Sequence, residues 1–254
     1  MSDRSPIRVE RDGPLATIVL DRPEVMNAIN LQMVQALHRA LDELATDDEL
    51  GALVLRGEGE HFAAGADLNE LETRRRNDAF RAINASLFQK IESFPAPVVT
   101  YLRGYTLGGG SEMALASDIR LASDTLKIGQ TEARFGIIPG AGATHRLPRL
   151  VGIGKAKEMI FTMAILGASE ALDIGLVNRV VPDQELESEG QKLVERILKA
   201  DRLAVRVAKV AINAAAQGGP AATSAIENLG QAILFESEEK QRRMRAFLEK
   251  QKGQ

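Results

Sequence analysis

Hydrophobic residues in the first 180 positions alternate between short continuous runs and stripes with helical spacing. The continuous runs have the length of strands, and turn-forming residues bound them. They cover residues 15–20, 52–56, 98–102 and 119–122. The run at 52–56 is apolar at successive positions, which is typical of a strand covered on both faces.

Between these runs the hydrophobic spacing becomes helical. Asn30 is suited to cap a helix whose apolar stripe begins with Val34 and Leu37. A second helix is predicted over residues 79–93. Because strand-like runs alternate with helices, the pattern predicts an α/β fold with parallel strand pairing.

The pattern changes after about Pro182, beyond which it predicts helices and no strand. The four predicted helices cover residues 184–200, 202–217, 221–236 and 238–250. We therefore expect a body at 1–195 that carries the active site, followed by a helical C-terminal region at 196–254.

Composition narrows the class of protein. The net charge of -3 argues against nucleic acid as a partner, because such binding needs a broad basic surface. The absence of cysteine excludes thiolate catalysis and disulfides and fits a reducing compartment. No apolar run approaches the ~18 residues of a membrane span, and the N-terminal segment lacks the apolar core of a signal peptide. We expect a cytoplasmic protein without a membrane partner.

Several common kinds of site are not indicated. The three histidines, His38, His61 and His145, are scattered, and their spacing predicts no metal site. No G-x-S-x-G motif marks a hydrolase nucleophile. The segment 140–145 begins like a dinucleotide fingerprint but lacks its third glycine.

Two segments rich in small residues are more informative. The segment 104–112 runs from a predicted strand into a helix through Gly108, Gly109 and Gly110. Each glycine weakens a helix by roughly 1 kcal/mol, so three at a helix start favour a backbone that a ligand approaches closely over a plain turn. Its free N–H groups would stabilise developing negative charge.

The second segment, 61–68, ends at Asp67, which together with Glu70 resembles a capping box at a helix start. A capped helix and a ligand loop are equally open readings of this segment. If amides from the two segments converge on one carbonyl oxygen, they form an oxyanion hole.

Two glutamates adjoin the glycine-rich segments. Glu112 lies just inside the predicted helix start, and Glu132 precedes the small-residue loop 136–142. Apolar surroundings raise carboxyl pKa values toward neutral pH, where one carboxyl group can act as a base and another as an acid. From the spacing alone, Glu112 and Glu132 are equally well interpreted as ordinary surface glutamates.

Taken together, the motifs resemble those of the enoyl-CoA hydratase/isomerase (crotonase) family over nearly the whole chain. A single motif would be weak, but their shared order is specific. The matching segments are 20–28 (LDRPEVMNA), 62–68 (FAAGADL), 104–112 (GYTLGGGSE), 129–132 (GQTE), 136–142 (GIIPGAG) and 172–178 (LDIGLVN).

The resemblance implies a fold and a reaction. It implies a body built as a spiral of ββα turns and C-terminal helices that form homotrimers or homohexamers. The oxyanion hole maps to the amides of Ala66 and Gly109. Because hydratases of the family carry both acids, Glu112 and Glu132 imply an enoyl-CoA hydratase, with Glu112 as base, Glu132 as proton donor and no metal or other cofactor.

The resemblance also suggests contacts with the coenzyme A part of the substrate. Near the oxyanion hole these are Arg22, Val25, Ala64, Asp67 and Leu68, and on the C-terminal helix they are Phe247 and Lys250. From the residues alone, Phe247 is predicted to pack in the core and Lys250 to be a solvated charge. Relatives often carry a basic residue where this chain has Glu24, which puts that phosphate contact in doubt.

Alternatives remain open at this stage. One glutamate alone suffices to shuttle a proton between carbons, as in a Δ3,Δ2-enoyl-CoA isomerase. A relative that binds RNA or lacks catalysis is favoured only by the basic cluster at 242–252, which reads better as a solvated helix face. The preferred acyl chain cannot be read, because the apolar candidates for its pocket, Leu71, Phe80, Ile83, Phe88, Phe135 and Ile137, fit a core equally well.

Overall fold

The fold is that of a computed structural model, which describes residues 5–218 and 220–252. The described residues form nine strands and twelve α-helices. The strands are β1 (Ile7–Asp12), β2 (Leu15–Leu20), β3 (Ala52–Gly57), β4 (Val98–Leu102), β5 (Tyr105–Leu107), β6 (Ile119–Ser123), β7 (Lys127–Gly129), β8 (Ile165–Gly167) and β9 (Arg179–Val181). The helices are α1 (Leu31–Ala45), α2 (Leu68–Thr73), α3 (Arg76–Phe80), α4 (Ile83–Glu92), α5 (Gly109–Leu115), α6 (Ala143–Val151), α7 (Ile153–Thr162), α8 (Ala168–Asp173), α9 (Leu186–Leu198), α10 (Arg202–Gln217), α11 (Pro220–Phe235) and α12 (Glu238–Lys252).

The main sheet has six strands in the order β1-β2-β3-β4-β6-β9. All neighbours pair in parallel except β1 and β2, which are antiparallel. The four predicted strands are confirmed as β2, β3, β4 and β6, and β3 is almost wholly buried, as its continuous apolar run requires. The α/β fold is therefore confirmed, with one antiparallel edge added to the expected parallel sheet.

A second, three-stranded sheet carries the site. Its order is β5-β7-β8, with β5 parallel to β7 and β7 antiparallel to β8. Only Arg103 and Gly104 separate β4 from β5, so the chain passes directly from one sheet to the other. At Gly104 (φ 49°) a side chain would collide with the Glu60 carbonyl oxygen, so this passage requires glycine.

The predicted helix over 79–93 is wrong in one respect, since two helices occupy that region. The chain breaks between α3 and α4 at Ala82, whose φ of 50° lies in the left-handed region. A left-handed residue cannot continue an α-helix. Hydrophobic spacing continues across the break, which explains why the pattern did not reveal it.

The chain divides into two compact units between Glu195 and Arg196. In the second unit, α10 begins after Asp201, whose side chain accepts a hydrogen bond from the Ala204 amide at 2.7 Å. The four helices predicted beyond Pro182 are confirmed as α9 to α12. In the part of the chain that the structure describes, no helix is both long and apolar enough to cross a membrane.

Candidate active site

The turn from β5 into α5 forms the centre of the candidate site. Gly108 adopts φ 48° and ψ −122°, a conformation that favours glycine, and α5 begins at the next residue. A side chain on Gly110 would collide with the carbonyl oxygen of Ala63. Gly110 therefore permits a close approach of two backbone segments, whereas the close approach of a ligand to this turn stays a prediction.

Ala66 lies opposite this helix start, in the second small-residue segment. Its neighbours bridge to Ile29: the Ile29 amide donates to the Gly65 carbonyl oxygen at 2.8 Å, and the Asp67 amide donates to the Ile29 carbonyl oxygen at 3.0 Å. Since adjacent residues of an extended segment present their amides to opposite sides, the amide of Ala66 points away from Ile29.

The amides of Ala66 and Gly109 approach each other. A Cβ added to Gly109 would lie 3.6 Å from the Ala66 nitrogen. Neither amide donates to a partner among the hydrogen bonds of the described residues, and the first amide of a helix has no partner within that helix. Two converging free N–H groups are the arrangement that stabilises an oxyanion.

Asn27 fixes the loop that precedes Ala66. This side chain is fully buried. Its Oδ1 accepts from the Arg22 amide at 2.9 Å, while its Nδ2 donates to the carbonyl oxygens of Glu58 and His61 at 3.0 and 2.8 Å. One amide side chain thus joins the turn at 22–28 to the start of the small-residue segment.

Arg22, an expected coenzyme A contact, pairs with Asp67. Its Nη1 and Nη2 both lie 3.2 Å from the Asp67 Oδ2, and Nη1 also donates to the Ala28 carbonyl oxygen at 2.5 Å. The other oxygen of Asp67 accepts from the Asn69 amide at 3.2 Å and caps α2. Arg22 therefore holds the residue that follows Ala66.

The predicted capping box between Asp67 and Glu70 is only half right. Asp67 caps the helix, but the Glu70 carboxylate accepts from the amide of Leu31 at 2.8 Å. Leu31 begins α1, so Glu70 satisfies an open amide of a different helix. The contact lies between residues 39 positions apart, which local sequence spacing cannot reveal.

The remaining expected coenzyme A contacts fall in both units. Val25 and Leu68 are 38% and 54% exposed, and Ala64 is half-buried in the loop before Ala66. Phe247 and Lys250 lie on α12 in the second unit, where both are exposed.

Glu112 lies in α5, three residues after Gly109, and is 3% exposed. Its Oε1 accepts hydrogen bonds from the amides of Ala141 and Ala143, at 2.7 and 3.0 Å. Burial raises the pKa of Glu112, while these amides and the charge of Arg146 oppose that rise. The carboxylate is therefore held in one orientation by backbone donors.

Glu132 begins a 3-10 helix (Glu132–Phe135) and has different surroundings. Both of its carboxyl oxygens are buried without a hydrogen-bond partner among the described residues. A Cβ on Gly108 would lie 3.2 Å from the Glu132 Oε1, so this carboxyl group adjoins the same turn. Burial and, secondarily, the charge of Glu112 raise the pKa of Glu132 to about 7.

A buried side-chain contact joins the two glutamate-bearing segments. Gln130 Nε2 donates to Ser111 Oγ at 2.9 Å, and both side chains are 1% exposed. Ser111 immediately precedes Glu112, and Gln130 lies two positions before Glu132. This contact helps to fix the relative positions of the two carboxyl groups.

Sequence reasoning missed two polar residues near the site. A Cβ on Gly109 would lie 3.7 Å from Asn84 Nδ2, and Asn84 Oδ1 is buried without a hydrogen-bond partner among the described residues. Arg146, on α6, contacts the loop that holds Glu112. Asn84 directly follows Ile83, one of the candidates for the acyl pocket, but no local pattern distinguishes either Asn84 or Arg146 from its neighbours.

The apolar candidates for an acyl pocket differ in burial. Phe88 is fully buried in the core, whereas Phe80 is 81% exposed. Ile83 is partly buried and packs against the core. Phe135 and Ile137, which follow Glu132, are 52% and 41% exposed.

Two buried carboxyl groups, one hydrogen-bonded to backbone amides and one without a hydrogen-bond partner among the described residues, lie beside two converging backbone amides. This arrangement is suited to acid–base chemistry next to a stabilised oxyanion. The family model described as enoyl-CoA hydratase/isomerase matches residues 10–254. The chain therefore belongs to the enoyl-CoA hydratase/isomerase family, as its motifs predicted.

Individual relatives agree with this family. The chain is 37% identical over 247 residues to a short-chain-enoyl-CoA hydratase of Clostridium acetobutylicum, covering 96% of this chain and 95% of the relative. It is 38% identical over 250 residues to a crotonyl-CoA hydratase of Syntrophomonas wolfei, covering 97% and 96%. A crystal structure of an enoyl-CoA hydratase from Bacillus anthracis superposes with a TM-score of 0.93 at 33% identity, covering 96% of each chain.

Proposed function

We propose that this protein is an enoyl-CoA hydratase, which adds water reversibly across the 2,3 double bond of a 2-enoyl-CoA to give a 3-hydroxyacyl-CoA. The observation that carries the proposal is the unequal pair of buried carboxyl groups next to two free backbone amides. Relatives named as hydratases match this chain over nearly its full length.

The reaction begins at the thioester. The Ala66 and Gly109 amides donate to its carbonyl oxygen and stabilise the negative charge that develops there. Glu112 accepts a proton from water as the water oxygen bonds to Cβ, and the π electrons of the C=C bond move toward the thioester oxygen.

Glu132 completes the addition. Because its pKa is raised to about 7, a substantial fraction of Glu132 is protonated near neutral pH and can donate that proton to Cα. The substrate gains one hydrogen and one hydroxyl group, and the proton taken by Glu112 returns to solvent or to Glu132. Dehydration follows the same steps in reverse.

The proposal extends to the ligands and the assembly. We assign coenzyme A binding to Arg22, Val25, Ala64, Asp67 and Leu68, with Phe247 and Lys250 contributing from α12. The chain supplies base, acid and oxyanion donors itself, so the proposed mechanism uses no resident cofactor. We further propose a homotrimer or homohexamer formed through the C-terminal helices, on which large apolar side chains such as Leu229 and Ile233 are 68% and 60% exposed.

The test is an assay of the purified protein with crotonyl-CoA, following loss of the conjugated-thioester absorbance and identifying the product by mass. We expect rapid formation of 3-hydroxybutyryl-CoA, and a decrease of at least ~100-fold for Glu112→Gln and for Glu132→Gln, as expected when acid–base catalysis is lost. Oligomeric state and far-UV spectra of both variants should match those of the wild type.

A second substrate panel separates hydration from isomerisation. The panel contains longer, branched and aromatic 2-enoyl-CoAs together with a 3-enoyl-CoA. If the protein hydrates none of the 2-enoyl-CoAs in the panel, the proposal is contradicted. Conversion of the 3-enoyl-CoA alone, with dependence on only one glutamate, would assign the isomerase reaction instead.

A further inference from the structure

Arg146 is buried beside the loop that holds Glu112. It lies on α6 and is only 4% exposed. Its Nη1 donates to the carbonyl oxygen of Ala141 at 3.0 Å. Burial of a guanidinium is unfavourable unless its charge and its donors are satisfied, so the contacts of this side chain must account for its position.

An ion pair satisfies the other side of the guanidinium. Arg146 Nε and Nη2 donate to the Oε2 of Glu92 at 3.1 and 2.7 Å. Glu92 is the last residue of α4. Arg146 therefore links the end of α4 to the loop at 141–143, and both partners of the pair are largely removed from solvent.

The same loop contacts Glu112 through its amides. The Ala141 amide donates to Glu112 at 2.7 Å, while the Ala141 carbonyl oxygen accepts from Arg146. Gly142 has φ 126°, and a side chain there would collide with Arg146 Nη1. The guanidinium thus packs directly against the backbone segment whose two amides orient the carboxylate.

Electrostatics act in the same direction as these contacts. The positive charge of Arg146 lowers the pKa of Glu112 against the opposing effect of burial. Other charged groups lie around this pair: Glu132, whose pKa is raised by burial and by Glu112, and His145, whose pKa is lowered by burial, Arg146 and Arg149 and raised by Glu92. Glu92 is itself the ion-pair partner of Arg146. Among these groups, Arg146 is the cation that favours ionised Glu112.

We propose that Arg146 is a positioning residue for the hydration reaction. Through the loop at 141–143 it keeps the Glu112 carboxylate ionised and aimed as the base that activates water. This inference rests on the proposed function. Arg146 acts through the loop and through its charge.

The experiment compares Arg146→Met, which removes charge and donors, with Arg146→Lys, which keeps the charge but not the forked geometry. Each protein is assayed for kcat and KM with crotonyl-CoA across a range of pH. Arg120→Met is the matched control, because Arg120 is also 4% exposed and donates to two backbone carbonyl oxygens, those of Ser117 and Leu176, outside the site.

We expect Arg146→Met to lower kcat by about tenfold to a hundredfold, as for a misplaced catalytic group, with little change in KM. The ascending limb of its pH–rate profile should move to higher pH, because Glu112 then holds its proton more tightly. Arg146→Lys should lower kcat while keeping the limb near its wild-type position. Arg120→Met should keep the wild-type limb.

A measurement independent of turnover accompanies the assay. ¹³C-labelled glutamate NMR, with Glu112→Gln to assign the resonance, follows the ionisation of Glu112 in each folded variant. An unchanged Glu112 titration and unchanged kcat in folded Arg146→Met would overturn the inference, as would identical changes in Arg120→Met. If Arg146→Met does not fold, wild-type kcat in Arg146→Lys would overturn it.

The two proposals fail in different ways. A wild-type protein that hydrates no enoyl-CoA contradicts the proposed function, and the NMR titration still tests whether Arg146 controls Glu112. An active wild type with an Arg146→Met variant that behaves normally contradicts only the role of Arg146.

Discussion

The carboxyl groups of Glu112 and Glu132 are both removed from water, but they differ in hydrogen bonding. Two backbone amides bind the first, whereas the oxygens of the second have no hydrogen-bond partner among the described residues. A buried carboxylate without partners destabilises the folded state when it ionises. The acid function proposed for Glu132 is thus obtained at the expense of stability.

This difference predicts a pH-dependent effect of Glu132→Gln on stability. The pKa of Glu132 is about 7 in the folded protein, compared with 4.5 for a glutamate without such surroundings. As pH rises, Glu132 therefore loses its proton in the unfolded chain before it does so in the folded protein. Wild-type stability should therefore fall between about pH 4.5 and 7 through this group. Glu132→Gln should be more stable than the wild type at pH 8, by on the order of 3 kcal/mol, and equally stable at pH 4.

Urea unfolding at the two pH values measures this difference. Glu249→Gln, at an exposed position on α12, serves as the control and should change stability equally little at both. A Glu132→Gln protein that gains no stability at pH 8 would show that Glu132 is not strained by burial.

Glycine at position 110 is predicted to be essential. Gly110→Ala would push a methyl group into the Ala63 carbonyl oxygen, which should destabilise the protein by about 1–3 kcal/mol. It should also lower kcat, because the neighbouring Gly109 amide must shift. Gly154→Ala is the matched control, since nothing lies within 4 Å of its added methyl in α7.

The control should increase stability by roughly 0.5–1 kcal/mol, the usual gain when alanine replaces glycine in a helix. Thermal or urea unfolding gives the stability, and crotonyl-CoA turnover gives the activity. Equal effects of the two substitutions would contradict the close backbone approach at Gly110.

At the level of single residues, sequence motifs singled out the glutamates and the glycines that the structure brings together, because each lies in a distinctive local segment. They did not identify Asn84 or Arg146. Arg146 is functional through contacts with Ala141 and Glu92, the latter 54 positions away. In the sequence it is one of 32 basic residues, so only the fold distinguishes it.

Helix caps provide the test at the scale of elements. Asp67 caps α2 and Asn30 caps α1, whose Met33 amide donates to the Asn30 Oδ1 at 2.8 Å. Substitution of either by alanine should destabilise the protein by about 1 kcal/mol. Only Asp67→Ala should also impair turnover, because its pair with Arg22 holds the backbone next to Ala66.

The comparison of the two variants gives the measurement. Both variants should be less stable than the wild type, Asp67→Ala by at least as much as Asn30→Ala because it also loses the pair with Arg22. By contrast, kcat/KM for crotonyl-CoA should fall by about tenfold for Asp67→Ala alone, the size expected when an oxyanion donor is displaced rather than removed. Equal turnover in both variants would show that Asp67 serves only as a cap.

Elements were predictable to the extent that they carry a long or continuous hydrophobic pattern. The strands β2, β3, β4 and β6 have five or six residues each, and their runs were visible. The strands β5, β7, β8 and β9 have only three residues, too few to show a period. The edge strand β1 is mostly exposed, so it carries no apolar run.

At the scale of the whole molecule, the exposed apolar residues of the C-terminal helices predict self-association. Leu229 and Ile233 lie four residues apart on α11, so they share a helix face. The double substitution Leu229→Lys and Ile233→Lys should dissociate the proposed trimer or hexamer, because buried lysines are unfavourable in an apolar interface. Light scattering after size exclusion measures the mass.

A control substitution on the same helix tests this interpretation. Glu227→Lys on α11 changes charge on a position without a large apolar side chain and should retain the wild-type mass. A wild-type protein that is monomeric at micromolar concentration would contradict the assembly.

The oxyanion hole proposed for this protein is made of main chain, whereas the proposed proton transfer depends on side chains. Replacement of Glu112 and Glu132 by glutamine therefore leaves the Ala66 and Gly109 amides in place. Such a protein would still bind the thioester carbonyl but would not convert the ligand. Immobilised on a resin, it could serve as a capture reagent that draws its natural acyl-CoA from a cell extract for identification by mass spectrometry.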